Sequence, residues 1–310
     1  MKWNKLGQVF QTDNNHSWML SHAANPVAEH LHDDVFRLYF SCRDAESRSH
    51  IAFAEVDLKP PFEVLRIAEK PLLAPGEVGT FDDSGVSLSC IKQINGTKYL
   101  YYLGWNLGVT VPWRNAIGLA IYDPGTATFQ RFSKAPLLDR HHVDPYSISY
   151  PFVLEDEGIY RMWYGSNLSW GKEQKDMAHL IKYAESDDAI SWKREGLIAL
   201  HFKNDSEYAM SRPCVIKEDG LYKMWYSYRG ESYRIGYAES EDGIEWVRKD
   251  EDVGIDVSNS GWDSQMIEYP FVFDHNGQRY MLYNGNDYGK TGIGLAVSTD
   301  YTQESVESVA

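Results

Sequence analysis

The sequence runs to 310 residues, 43% hydrophobic and 14% aromatic, with a formal net charge of −15. That charge argues against nucleic acid or an anionic membrane as partner, and no apolar run approaches the roughly 18 residues of a membrane helix. Cys42, Cys90 and Cys214 are odd in number and sit in or beside apolar runs, which suits buried thiols. The N-terminal Met-Lys-Trp-Asn-Lys-Leu lacks a signal core, so a cytoplasmic protein is expected.

In chain order, residues 3–10 have the Trp–basic–apolar texture of a short outer strand. A unit of three short runs then recurs. Its central run reads Phe36-Arg-Leu-Tyr-Phe-Ser41, Tyr99-Leu-Tyr-Tyr-Leu-Gly104, Tyr160-Arg-Met-Trp-Tyr-Gly165, Tyr222-Lys-Met-Trp-Tyr-Ser227 and Arg279-Tyr-Met-Leu-Tyr-Asn284. Successive copies start 63, 61, 62 and 57 residues apart. A leading run opens on Pro26, Pro151, Pro213 and Pro270, with Cys90 at the equivalent place in the second copy. The closing run starts at Ile51, Ile117, Ile181, Ile235 and Ile293.

Aromatic and β-branched runs bounded by Gly and Asp predict antiparallel strands joined by hairpins. Such a unit cannot bury both faces alone, so the copies pack face to face in one domain spanning 1–310. After the fifth closing run only a short polar tail follows, so residues 3–10 are expected to complete the fifth unit. The expected fold is all-β: a five-bladed β-propeller with blades near 17–76, 80–140, 144–200, 205–258 and 262–300, the last closed by the N-terminal strand.

In a propeller the leading ends of the inner strands converge on one mouth of the channel. Blade one places His22 and Asn25 before Pro26, and Arg43 after its central run. Blade two places Asp83 seven residues before Cys90, as Asp144 and Asp263 stand seven before Pro151 and Pro270. One offset in three blades also suits a structural turn residue. Trp105 offers a flat face for a sugar ring, Gly108–Arg114 is an insertion in the same blade, and the polar insertion Asn167–Asp176 reads as a loop over the mouth. Blade four contributes Glu207, Arg212 and Arg229. Blade five contributes Glu268, two residues before Pro270, with Asn284 and Asn286 to read hydroxyls.

The Tyr-x-Met-Trp-Tyr repeat with Ile235-Gly-Tyr-Ala-Glu-Ser-Glu-Asp-Gly-Ile-Glu-Trp246 resembles the five-bladed propeller glycosidases. That superfamily includes arabinanases, xylosidases, invertases, levansucrases and the β-mannoside phosphorylases of glycoside hydrolase family 130. Ser21-His-Ala, Gly79-Thr-Phe-Asp-Asp-Ser-Gly, Ser211-Arg-Pro and Gly261-Trp-Asp-Ser are similar to glycosidase-like proteins of surface-polysaccharide gene clusters. The sequence departs from the arabinanase-type pattern, whose Arg-Asp-Pro carries the general base, because it reads Ala24-Asn25-Pro26. Glu268-Tyr-Pro270 has the form of that pattern's acid motif but lies in the fifth blade.

Glycoside cleavage needs a protonated carboxyl at the leaving oxygen, and a base-activated water or a bound phosphate as attacking group. Glu207 or Glu268 is the expected acid, with Asp83 as base or as the group tuning the acid. Arg43, Arg212 and Arg229 would hold an anion, either a substrate carboxylate or phosphate. Three readings stay open: a hydrolase of a small oligosaccharide, neutral or acidic; a phosphorylase or transglycosidase; and a non-catalytic carbohydrate-binding protein. No cofactor is expected, and no His/Asp/Glu spacing points to a metal. The oligomeric state is left open.

Overall fold

The computed structural model describes residues 1–171 and 176–301, and the chain is nearly all β. It opens with β1 (Trp3–Phe10). The first meander is β2 (Ser21–His32), β3 (Val35–Arg43) and β4 (Ser49–Asp57), with β5 (Val64–Ile67) on its outer edge. The second is β6 (Gly85–Ile94), β7 (Thr97–Leu107), β8 (Trp113–Asp123) and β9 (Thr128–Arg131). The third is β10 (Ile148–Asp156), β11 (Ile159–Ser169), β12 (Ala178–Ser186) and β13 (Ile198–Leu200). The fourth is β14 (Ala209–Glu218), β15 (Leu221–Arg229), β16 (Tyr233–Ser240) and β17 (Val247–Arg248). The last is β18 (Glu268–His275), β19 (Gln278–Asn284) and β20 (Ile293–Ser298), and β1 pairs antiparallel with β20, Trp3 opposite Ser298.

Repetition in sequence becomes repetition in packing. Met162, Trp163, Met224 and Trp225 are fully buried between sheets, and burying a tryptophan removes enough apolar surface to favour folding by on the order of 4 kcal/mol. Trp3 meets Trp225 edge-on at 6.4 Å, tying β1 to the fourth meander as well as to β20. The Gly of the closing run has a steric cause. A Cβ on Gly118 would lie 2.2 Å from the Tyr102 ring, and one on Gly236 would lie 2.5 Å from the Tyr226 ring.

Each leading strand carries one extra residue opposite its neighbour, between Ala24 and Val27, Leu88 and Cys90, Ser149 and Phe152, Ser211 and Cys214, and Glu268 and Phe271. Such a bulge re-aims the side chains beside it. In four strands the residue before the proline is left-handed: Asn25 (φ 57°), Tyr150 (φ 41°), Arg212 (φ 56°) and Tyr269 (φ 56°). A non-glycine residue held there costs on the order of 1–3 kcal/mol, and such strain gathers at functional sites.

The register corrects the second copy by one residue. Ser87 pairs with Leu103 as Ser149 pairs with Gly165 and Ser211 with Ser227. The proline place in that copy is therefore Ser89, not Cys90, and the central run in step with the others is Lys98–Leu103. Of the insertion expected over the mouth, Asn167–Ser169 continue β11, and residues 172–175 lie outside the described residues. The 302–310 end of the polar tail also lies outside them.

Candidate functional site

Ala24, Ser87, Ser149, Ser211 and Glu268 occupy one position in the five meanders, opposite Ser41, Leu103, Gly165, Ser227 and Asn284. The three serines line a cavity of about 450 Å³, and Ala24 lines an adjoining pocket of about 50 Å³. The fifth member is a carboxylic acid where the repeat otherwise accepts Ala or Ser, so the fold has no need of it there. Glu268 is 0% exposed, and among the described residues neither carboxyl oxygen has a hydrogen-bond partner of good geometry.

Tyrosines surround it. Tyr150, Tyr233, Tyr269 and Tyr288 all line the cavity, with ring centroids 5.9 Å apart for Tyr150–Tyr269, 6.3 Å for Tyr233–Tyr269 and 6.0 Å for Tyr233–Tyr288. Burial pushes the Glu268 carboxyl well above the usual carboxylate range, against the opposing pulls of the Arg229 charge and the Tyr269 hydroxyl. Burying a carboxylate costs several kcal/mol, which favours the protonated form. The site therefore holds a neutral acid beside its cavity.

Other expected residues join it. Arg43 lines both the cavity and the side pocket, Trp105 lines the cavity, and His22 and Asn25 line the side pocket. Burial first, and then the charges of Arg43 and Lys290, lower the His22 ring to about 4, so it stays neutral. Arg229 reaches the Tyr288 hydroxyl, its guanidinium over the Tyr208, Tyr233 and Tyr288 rings at 5.6, 5.3 and 5.8 Å. It backs the aromatic wall. Arg212 is 2% exposed and donates to the carbonyls of Ser89, Asn25 and Pro26, so its fork spans three meanders rather than an anion.

Several expected residues are elsewhere and do structural work. Glu207 accepts two bonds from Arg248, at 2.6 and 3.0 Å, and one from the Lys203 N–H, and lines neither pocket. Asp83 accepts from the Gly79 N–H and the Ser84 hydroxyl within a turn. Its neighbour Asp82 holds the shared position, because Asp82, Asp144 and Asp263 accept from Tyr102, Tyr164 and Tyr283 at 2.9, 2.9 and 3.0 Å, each twenty residues on. Asp144 also binds Ser166, Lys182 and Arg194, and Asp263 binds Lys5. Asn284 joins the last meander to the first, accepting from the Asn25 N–H at 2.8 Å and donating to the Ala23 carbonyl. Asn286 braces a loop through Gln265, Met266 and Gly261.

Residue-type reasoning overlooked the tyrosines and His179. Tyr150 and Tyr269 stand immediately before the entering prolines, the same place as Asn25 and Arg212, so the signal was present in the repeat. His179 lines the cavity and is 7% exposed. Its Nδ1 lies 2.7 Å from the Met210 carbonyl. A carbonyl only accepts, so Nδ1 carries the proton, and Nε2 of the neutral ring is a lone pair. Burial lowers the ring's proton affinity against the pull of that carbonyl. Among the described residues, no Asp or Glu lines the cavity or side pocket, and no group of three or more His, Cys, Asp or Glu side chains is placed to hold a metal ion.

No family model matches the sequence. Two Mycobacterium tuberculosis proteins, the uncharacterized proteins MT1551 and Rv1502, are each 49% identical over 297 residues, covering 96% of this chain and 99% of theirs. The chain belongs to their family. Among solved structures, BT0996 in an RGII complex superposes with a TM-score of 0.73 at 17% identity, over 97% of this chain and 93% of that one. A thermostable family-43 glycoside hydrolase gives 0.68 at 18% identity, over 94% and 97%. The chain therefore shares the fold of these solved structures. None of its described helices is long and apolar enough to cross a membrane.

Proposed function

We propose that the five meanders are the blades of one closed propeller, with β1 supplying the outer strand of the fifth. In this reading the protein is a cytoplasmic glycoside hydrolase of small oligosaccharides, with Glu268 as general acid. The observation that carries it is the fully buried carboxyl of Glu268, its proton affinity raised by burial, beside a cavity lined by Trp105, Trp113, Asn115 and serines. Aromatic faces and neutral hydroxyl and amide groups suit a sugar.

Glu268 would protonate the glycosidic oxygen as the bond to the anomeric carbon breaks, once the tyrosine cover swings aside. His179, the cavity's one unprotonated ring nitrogen fixed by a backbone carbonyl among the described residues, would take a proton from the attacking water. This assignment replaces the expected carboxylate base, since among the described residues no carboxylate lines the cavity. It also differs from arabinanase-type chemistry, in keeping with Asn25 before the first proline.

The test is product analysis on an oligosaccharide panel, with and without inorganic phosphate, for wild type, Glu268→Gln and His179→Gln. Phosphate-independent cleavage lost in both variants supports the reading. Strict phosphate dependence would indicate phosphorolysis, which dispenses with the base. Sugar binding with no product from any protein would leave a non-catalytic carbohydrate-binding role.

A further inference from the structure

The chain is strongly acidic overall, yet its cavity is not. Of the formally charged side chains, the cavity and side pocket present only Arg43, together with the neutral His22 and His179. Arg43 is exposed, and among the described residues no hydrogen bond or ion pair engages its guanidinium. Its strand neighbour Asp44 is already occupied by Arg48 and His50, at 3.0 and 3.1 Å. An arginine so placed is a free bidentate fork for an oxyanion.

The side pocket holds a second unsatisfied group. Asn25 is 3% exposed, held left-handed by the bulge, and its amide Oδ1 has no partner. Its Nδ2 makes a 3.5 Å contact to the Ser41 hydroxyl and is also placed to donate to the Tyr150 oxygen, which lines the same pocket. The oxygen and nitrogen of an amide exchange by a half-turn of the side chain, which would leave N–H donors facing the pocket and Oδ1 accepting from Ser41. The hydroxyls of Ser49 and Ser87 also face this pocket, 3.3 Å apart.

Size narrows the occupant. At about 50 Å³ against about 450 Å³ for the cavity, the side pocket admits a small polar group and not a sugar ring. A carboxylate carried on a ring carbon is such a group, and it matches the guanidinium fork of Arg43. We infer that the substrate is an acidic sugar, its ring in the cavity and its carboxylate in the side pocket between Arg43 and Asn25. The inference rests on the reading of the cavity as a sugar site, and goes beyond it in naming the substrate class.

The experiment is calorimetric binding of three uronic acids (glucuronate, galacturonate and mannuronate), each paired with its neutral parent sugar, and of inorganic phosphate. Wild type should bind at least one uronate tighter than its parent by roughly tenfold or more, the worth of one charge-assisted hydrogen bond. Arg43→Gln should bind both members of that pair alike, and Arg43→Lys should recover part of the preference. Thermal melting of both variants checks that they fold. Neutral sugars bound as tightly as uronates would overturn the inference alone, and so would phosphate being the only anion whose binding depends on Arg43. Binding of no sugar at all would overturn it together with the glycosidase reading.

Discussion

Arg212 donates from Nη2 to the carbonyl of Asn25 at 2.8 Å, across 187 residues of sequence. Its other branch reaches the Ser89 carbonyl, so one guanidinium of β14 ties together the bulges of β2 and β6. Complete burial lowers its proton affinity to about 10, low for arginine but far above neutrality, so the charge is retained. Arg212→Ala should cost about 3–5 kcal/mol, because three buried carbonyls lose their donor and a cavity opens. Urea unfolding measures this. A midpoint like that of wild type would show that the guanidinium does not bind the bulges together.

Glu268 trades stability for its proton. Its folded proton affinity is raised above the unfolded value, so its favourable contribution is complete below the unfolded value of 4.5 and is lost as pH rises towards the folded one. Glu268→Gln preserves shape and removes this loss. The variant should melt higher than wild type, with a gap that widens as pH rises above 4.5, while losing cleavage. Parallel melting curves across that range would contradict an uncompensated buried carboxyl.

Asp144 has the opposite sign. Burial would raise its proton affinity, but the Ser166 hydroxyl and the Lys182 charge outweigh burial and hold it below the ordinary aspartate value of 3.8. Its contribution is therefore present above that value and lost as pH falls through the folded one. Asp144→Asn should destabilise the protein at neutral pH by about 3 kcal/mol or more, since Lys182 and Arg194 lose their buried partner. The deficit should shrink below about pH 4, which acid unfolding followed by tryptophan fluorescence will show.

How far the sequence announces this molecule depends on which repeat is read. The aromatic central runs are legible because a strand that packs on both faces needs large side chains at nearly every place. The phase of the second copy is not, since it lacks the proline that marks the others, and counting from Cys90 instead of Ser89 selects Asp83 over Asp82. Counting back twenty residues from Tyr102, Tyr164 and Tyr283 would have found the right aspartate, because a buried hydroxyl and its acceptor fix that spacing. Glu207 misleads for another reason. Its partner Arg248 lies 41 residues away on β17, and no local pattern reveals the pairing. Glu268 is visible as a carboxylate two residues before Pro270, but its complete burial is a property of tertiary packing. His179 is invisible without the Met210 carbonyl that sets its tautomer.

Trp105 offers a direct check on sugar binding. Its indole N–H is fixed on the Ser49 hydroxyl at 2.9 Å while its side chain lines the cavity. Trp105→Ala should weaken oligosaccharide binding by about 0.5–1.5 kcal/mol, the usual worth of an aromatic contact beyond its area, read by calorimetry. Unchanged affinity would place the sugar against another wall.

The protonation state of Glu268 is the most direct test, and it requires no substrate. Difference infrared spectroscopy between wild type and Glu268→Gln at pH 7 isolates this one carboxyl group. A protonated carboxyl C=O band present in wild type and absent from the variant is the predicted result. A pair of carboxylate stretches in its place would mean that Glu268 is ionised, and the assignment of its proton to the leaving oxygen would fail.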